Sequence, residues 1–128
     1  MKQALLLIFL GGGAGSCLRF LLSKWFNLSG SYLPYGTLAA NALACLILGM
    51  ATMFYTTRYA EQEWVRWAVL VGFCGGFSTF STFSNELFSY MRLGDTTSAM
   101  VYLIASLILC NLAVGLGMFL GNILAGKI

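Results

Sequence analysis

The chain has 128 residues, 59% of them hydrophobic and 9% charged, with a net charge of +3 and no histidine. A soluble domain of this length carries about a quarter of its residues as charge, so a water-facing fold is excluded and a membrane protein is expected. A mean hydropathy of +0.85 agrees with that reading.

Four apolar runs reach the roughly 20 residues that cross a bilayer, at about 4–26, 34–57, 66–91 and 96–126. Backbone groups in hydrocarbon must be paired within their own segment, so each run is expected to be a helix. The predicted fold class is an all-α membrane protein of four transmembrane helices, forming one domain over residues 1–128. The connections, around Asn27–Leu33, Arg58–Arg66 and Arg92–Asp95, are too short for a soluble domain. Trp25, Tyr32, Tyr35, Tyr55, Tyr59, Trp64, Trp67 and Tyr90 lie near span ends, where amphipathic rings sit at the membrane interface.

The first run opens on Lys2 and Ala4–Leu10, which invites a signal-peptide reading. The apolar run continues past Arg19 to Leu22, so a retained span is expected instead. Gly11 and Gly15 form a small-xxx-small pair that lets a second helix approach closely. A phosphate loop does not fit, because no Gly-Lys-Ser/Thr follows and no strand precedes. Arg19 has two readings: a side chain that snorkels outward, or a fixed positive charge beside a water-filled vestibule.

The second run carries Thr37 and Asn41 at i and i+4, on one helix face. An amide at that depth must be hydrogen-bonded, either to another helix or along a polar path. The fourth run carries Tyr102, Ser106 and Cys110 at the same spacing, and Gly117-x-x-x-Gly121 as a second packing face. The cysteines, at positions 17, 45, 74 and 110, each lie within a span. With no C-x-x-C and no histidine they offer no metal-ligand pattern and read as small packing residues.

The third run holds the most informative stretch. Gly72, Gly75 and Gly76 weaken the helix just ahead of Gly-Phe-Ser-Thr-Phe-Ser-Thr-Phe-Ser-Asn-Glu, residues 76–86. Ser78, Thr79, Ser81, Thr82 and Ser84 add side-chain bonds that compete with the helix. The third helix is therefore expected to be broken near its middle, which is tolerated only where the break is buried in protein or faces water. Freed carbonyls there suit a small cation such as Na⁺. Phe80 and Phe83, at i and i+3, share a face. Ring edges are electropositive, so rings and hydroxyls together suit an anion that must also be released. Fluoride, the strongest hydrogen-bond acceptor among the halides, matches such a lining best. The other reading of this stretch is a polar helix–helix seam filled by phenyl packing. Glu86 ends the run as either a solvated carboxylate or a mouth residue.

An even number of spans places both ends of the chain on one side, with Lys2, Arg58, Arg66 and Lys127, against Lys24 and Arg92 on the other. So small a bias permits insertion in both orientations, and with it an antiparallel homodimer; a single, weakly encoded orientation is the alternative. Polar groups within the spans are hard to shelter in so small a chain, which favours an oligomer.

At Gly11–Phe20, Pro34–Gly49 and Gly72–Glu86 the chain resembles the Fluc/CrcB family of fluoride channels, and Tyr102 and Ser106 match the polar track of its fourth helix. Ala44 and Leu46 stand where the resemblance leads one to expect glycine and phenylalanine, and Cys110 where a further hydroxyl would extend the track. The resemblance implies an antiparallel, dual-topology homodimer in the bacterial cytoplasmic membrane, with two pores passing fluoride out of the cell passively. It implies that Phe80 and Phe83 turn ring edges to the ion and that Asn41 donates its amide. Thr37, Ser81, Thr82, Tyr102 and Ser106 would line or support the path, with Arg19 and Glu86 at the vestibules. A structural Na⁺ on the dimer axis would be held by the main-chain carbonyls of Gly75 and Ser78. The expected partners are a second copy of the chain, membrane lipid and fluoride, and not nucleic acid.

Two rivals come from other classes. A small proton-coupled multidrug exporter needs a carboxylate in mid-membrane, whereas Glu86 lies toward a span end. A non-transporting membrane scaffold would use the glycine faces but leaves the phenyl–hydroxyl run unexplained. An enzyme is not expected, since no nucleophile has a plausible base.

Overall fold

The computed structural model describes residues 1–27, 33–58 and 60–126. All regular structure among them is helical: α1 (Lys2–Asn27), α2 (Tyr35–Arg58), α3 (Glu63–Val65), a π-helical stretch (Arg66–Cys74), α4 (Gly75–Phe77), α5 (Phe80–Arg92) and α6 (Thr96–Leu124). Four segments are long and apolar enough to cross a membrane, namely Lys2–Phe26, Tyr35–Arg58, Glu63–Arg92 and Thr96–Leu124. The third is composite, running from α3 through the π-helical stretch and α4 to α5. Of the expected interfacial rings, Tyr32 and Tyr59 lie outside the described residues, as does Lys127 of the charge comparison.

Helix ends follow local chemistry. Pro34 precedes α2, where a missing N–H is harmless. Gly94, at φ 77°, adopts the left-handed conformation that closes α5. Asp95 then caps α6, its carboxylate accepting from the Ser98 N–H at 3.0 Å.

The helices pair through glycine. α1 lies against the third span, with Gly15 beside the Phe73 carbonyl and Gly76 beside the Gly12 carbonyl. α2 lies against α6, with Gly49 beside Val114 and Gly117 beside Leu46. Thr37 and Tyr102 converge at the start of this second pair, and Arg58 reaches the Ala125 carbonyl at its end. α2 and α6 therefore run parallel. The small core between the pairs is Ala40, Ala44 and Phe77, with Leu22, Ile47 and Phe73 packed around it. Most other large apolar side chains, such as Phe9, Leu112 and Phe119, face outward, as hydrocarbon solvent allows.

A Cβ added at Gly117 would overlap the Leu46 carbonyl, which is backbone and cannot swing aside. Gly117→Ala is expected to cost about 1–3 kcal/mol, as overpacking generally does, read as a lower unfolding temperature in detergent. Gly115→Ala, whose Cβ meets nothing within 4 Å, is the silent control.

Candidate functional site

The third span breaks at Ser78 and Thr79, whose backbones are extended (φ −77°, ψ 157° and φ −151°, ψ 113°). The break falls after the glycines, which stay helical. A residue from another span decides its position. The Asn41 side chain accepts from the Thr79 N–H at 2.7 Å and donates to the Thr79 carbonyl at 3.2 Å. Both polar groups of one extended residue are thus satisfied by one amide, so the break leaves Thr79 with no orphaned backbone group.

Thr79 also starts the next helix. Its hydroxyl accepts from the Thr82 N–H at 3.2 Å, donates to the Thr82 hydroxyl at 3.0 Å, and lies 3.3 Å from that of Ser81. These bonds cap α5 at mid-span, so the positive end of its dipole lies at the break. Sequence marked Thr79 only as one of the hydroxyls that weaken the helix, and not as a pore, vestibule or cation residue. A hydroxyl immediately before a helical run, with Thr82 three positions on, is the capping signal that marks it.

The same bonds release two carbonyls. The Gly75 oxygen would ordinarily accept from the Thr79 N–H, which goes to Asn41 instead. The Ser78 oxygen would accept from the Thr82 N–H, which goes to the Thr79 hydroxyl. Gly75 is exposed, with open space where a Cβ would stand. No group of three or more His, Cys, Asp or Glu side chains is placed to hold a metal among the described residues. A cation here would be held by main-chain oxygen, and Gly75 and Ser78 fit that need.

Two cavities of about 250 Å³ each flank the break. The first is lined by Asn41, Ser78, Thr79, Phe80, Phe83 and Ser106, with Cys45, Cys110 and Asn111. The second is lined by Ser16, Arg19, Phe20, Ser23, Thr37, Thr79 and Thr82. Thr79 borders both. In the first cavity Phe80 and Phe83 lie with ring centroids 5.8 Å apart, and Phe83 is 5.0 Å from Tyr102. The Ser106 hydroxyl is buried without a hydrogen-bond partner, so it does not turn back on its own helix. In the second, the Arg19 Nε is likewise buried and unbonded.

The expected residues are therefore sorted by the fold. Asn41, Phe80, Phe83 and Ser106 gather at one cavity, and Arg19, Thr37 and Thr82 at the other. Ser81 joins only through Thr79. Glu86 is half-buried and accepts from the Thr37 hydroxyl at 2.8 Å and the Tyr102 hydroxyl at 2.7 Å. Tyr102 lines neither of these two cavities and meets their residues only through Glu86 and the Phe83 ring. Ser16, Ser23 and Asn111 were not singled out by sequence. Asn111, an amide in an otherwise apolar span, carried the clearest signal of the three.

One surface of the single chain is unsuited to lipid. Phe80 is 80% exposed, and Ser81, Thr82 and Asn111 are also exposed well inside their spans. Ser81 and Thr82 bond to the Thr79 hydroxyl and Asn111 donates to the Leu107 carbonyl, so it is their remaining hydrogen-bonding capacity that faces hydrocarbon at a cost.

Residues 6–118 match the family model described as CrcB-like protein, Camphor Resistance (CrcB). The chain is 43% identical over 123 residues to a protein of Phocaeicola vulgatus named fluoride-specific ion channel, covering 94% of this chain and 99% of that one. Proteins of the same name from Hahella chejuensis (36% over 121 residues, 94% and 95% covered) and Escherichia coli (39% over 128 residues, 97% and 98% covered) are also similar.

Proposed function

Because this chain belongs to the CrcB-like family, we propose that it is a fluoride-selective channel, not an enzyme, passing cytoplasmic fluoride outward down its electrochemical gradient. The observation that carries the reading is the first cavity. Two phenyl rings, the Asn41 amide and the unpartnered Ser106 hydroxyl converge on it beside the N-terminal end of α5. Donors and ring edges replace the water that fluoride must shed, and no fixed cation lies among these lining residues to trap it. Arg19 borders the second cavity, where a positive charge raises local anion concentration.

The active form is an antiparallel, dual-topology homodimer in the bacterial cytoplasmic membrane, with two pores built from both copies. The exposed Phe80, Ser81, Thr82 and Asn111 support it, because a second copy would shelter them from lipid. The released carbonyls of Gly75 and Ser78 support a structural Na⁺ on the dimer axis, which would supply positive charge between the copies. A proton-coupled exporter is disfavoured, since the Glu86 carboxylate is already bonded by two hydroxyls.

Purified protein in fluoride-loaded liposomes, with a potassium ionophore to carry the counter-charge, is expected to release fluoride rapidly and chloride negligibly, as followed by ion-selective electrodes. A proton uncoupler should not change the rate. No efflux of either ion from folded protein would overturn the channel reading, and efflux abolished by the uncoupler would favour coupled export.

A further inference from the structure

Cys45 and Cys110 are 65 positions apart, yet the parallel pairing of α2 and α6 brings them together. Thr37 and Tyr102 meet at one Glu86 carboxylate. Leu46 and Gly49 meet Gly117 and Val114 further along. Residue 45 therefore falls opposite residue 110 in this register. Both are half-buried and both line the cavity that holds Asn41, Phe80 and Ser106. The remaining cysteines differ: Cys17 is exposed on α1, and Cys74 is 4% exposed and does not line this cavity.

We propose that Cys45 and Cys110 form a two-coordinate site for a soft divalent metal ion of the Hg²⁺ class, in the wall of the first cavity. Three observations favour this chemistry. No third His, Cys, Asp or Glu completes a tetrahedral set among the described residues, so zinc-type coordination is not served. Soft thiolate ligands select soft d¹⁰ ions, which accept linear coordination. Charge also balances: both S–H bonds break, two S–metal bonds form, and two protons leave to water. The product is a neutral dithiolate, which a membrane interior accepts where a lone thiolate would be strongly disfavoured. No oxidant is required.

The bound ion would tie α2 to α6 and fill space beside Phe83 and Ser106. Its effect on fluoride rests on the channel reading above, but the binding itself does not. The test uses the full chain with Cys17→Ala and Cys74→Ala, titrated with HgCl₂. The expected result is the loss of two free thiols for each mercury bound, with one mercury retained on a single denatured chain by intact mass. Fluoride efflux should fall to that of protein-free liposomes and return on adding excess dithiol. With Cys110→Ser added, each mercury should consume only one thiol. In the wild-type chain, alkylation mapping should show Cys45 and Cys110 protected together while Cys17 stays reactive, which covers the case in which the double variant folds poorly. One thiol lost per mercury in the intact pair, or protection of Cys45 without Cys110, would overturn the site. Two thiols lost with unchanged efflux would overturn the placement beside the ion path. A chain that conducts no fluoride even before mercury is added would refute the channel reading, while the thiol count still decides the site.

Discussion

Replacing Phe80 with isoleucine is expected to reduce fluoride efflux to the level of protein-free liposomes while leaving the unfolding temperature in detergent nearly unchanged. The separation of the two effects follows from exposure. Phe80 is 80% exposed on the single chain, so its replacement opens little cavity within that chain, and a residue of similar bulk keeps the apolar surface offered to a second copy. Isoleucine keeps an apolar side chain of similar bulk at the first position of α5, and its helix propensity is about that of phenylalanine. It removes the ring, and with it the electropositive edge and the tilted ring contact with Phe83 at 5.8 Å. Phe83 is the contrasting position. At 7% exposure, with Tyr102 behind it, its loss would empty packed space as well as remove a ring. Normal efflux from Phe80→Ile would remove the rings from the ion path and return them to packing.

Asn41→Ala is expected to remove efflux and stability together. It strips partners from both backbone groups of Thr79, each left unsatisfied at about 1–3 kcal/mol. The Thr79 N–H is then free to return to the Gly75 carbonyl and continue the helix through the break. That would realign the α5 cap and close the first cavity. The measurements are thermal unfolding in detergent and efflux from liposomes, with Phe80→Ile beside it as the variant that changes efflux alone. An Asn41→Ala chain with unaltered unfolding and unaltered efflux would show that the break holds itself open without the clamp.

Local composition carried much of this protein. Four apolar runs with short polar connections leave a helical solution almost forced, because hydrocarbon offers the backbone no other partner. Gly11, Gly15, Gly117 and Gly121 announce close helix contact wherever they fall. The hydroxyl run after Gly76 announces a helix that will not continue, and Phe80 and Phe83 announce a shared face.

What tertiary structure decided is what lies between spans. The glycines marked a weak helix, but the break sits at Ser78 and Thr79, because the amide that captures the Thr79 backbone comes from α2, 38 positions earlier. Glu86 read as either a solvated carboxylate or a mouth residue, whereas α2 and α6 each bring it a hydroxyl. Cys45 read as a small packing residue and Cys110 as the thiol that ends a polar stripe, and only the parallel register of two helices makes them a pair. Propensity and periodicity act over a turn or two of chain. Hydrogen bonds and thiol contacts act over a few ångströms of space, and helix packing alone determines which distant residues share them.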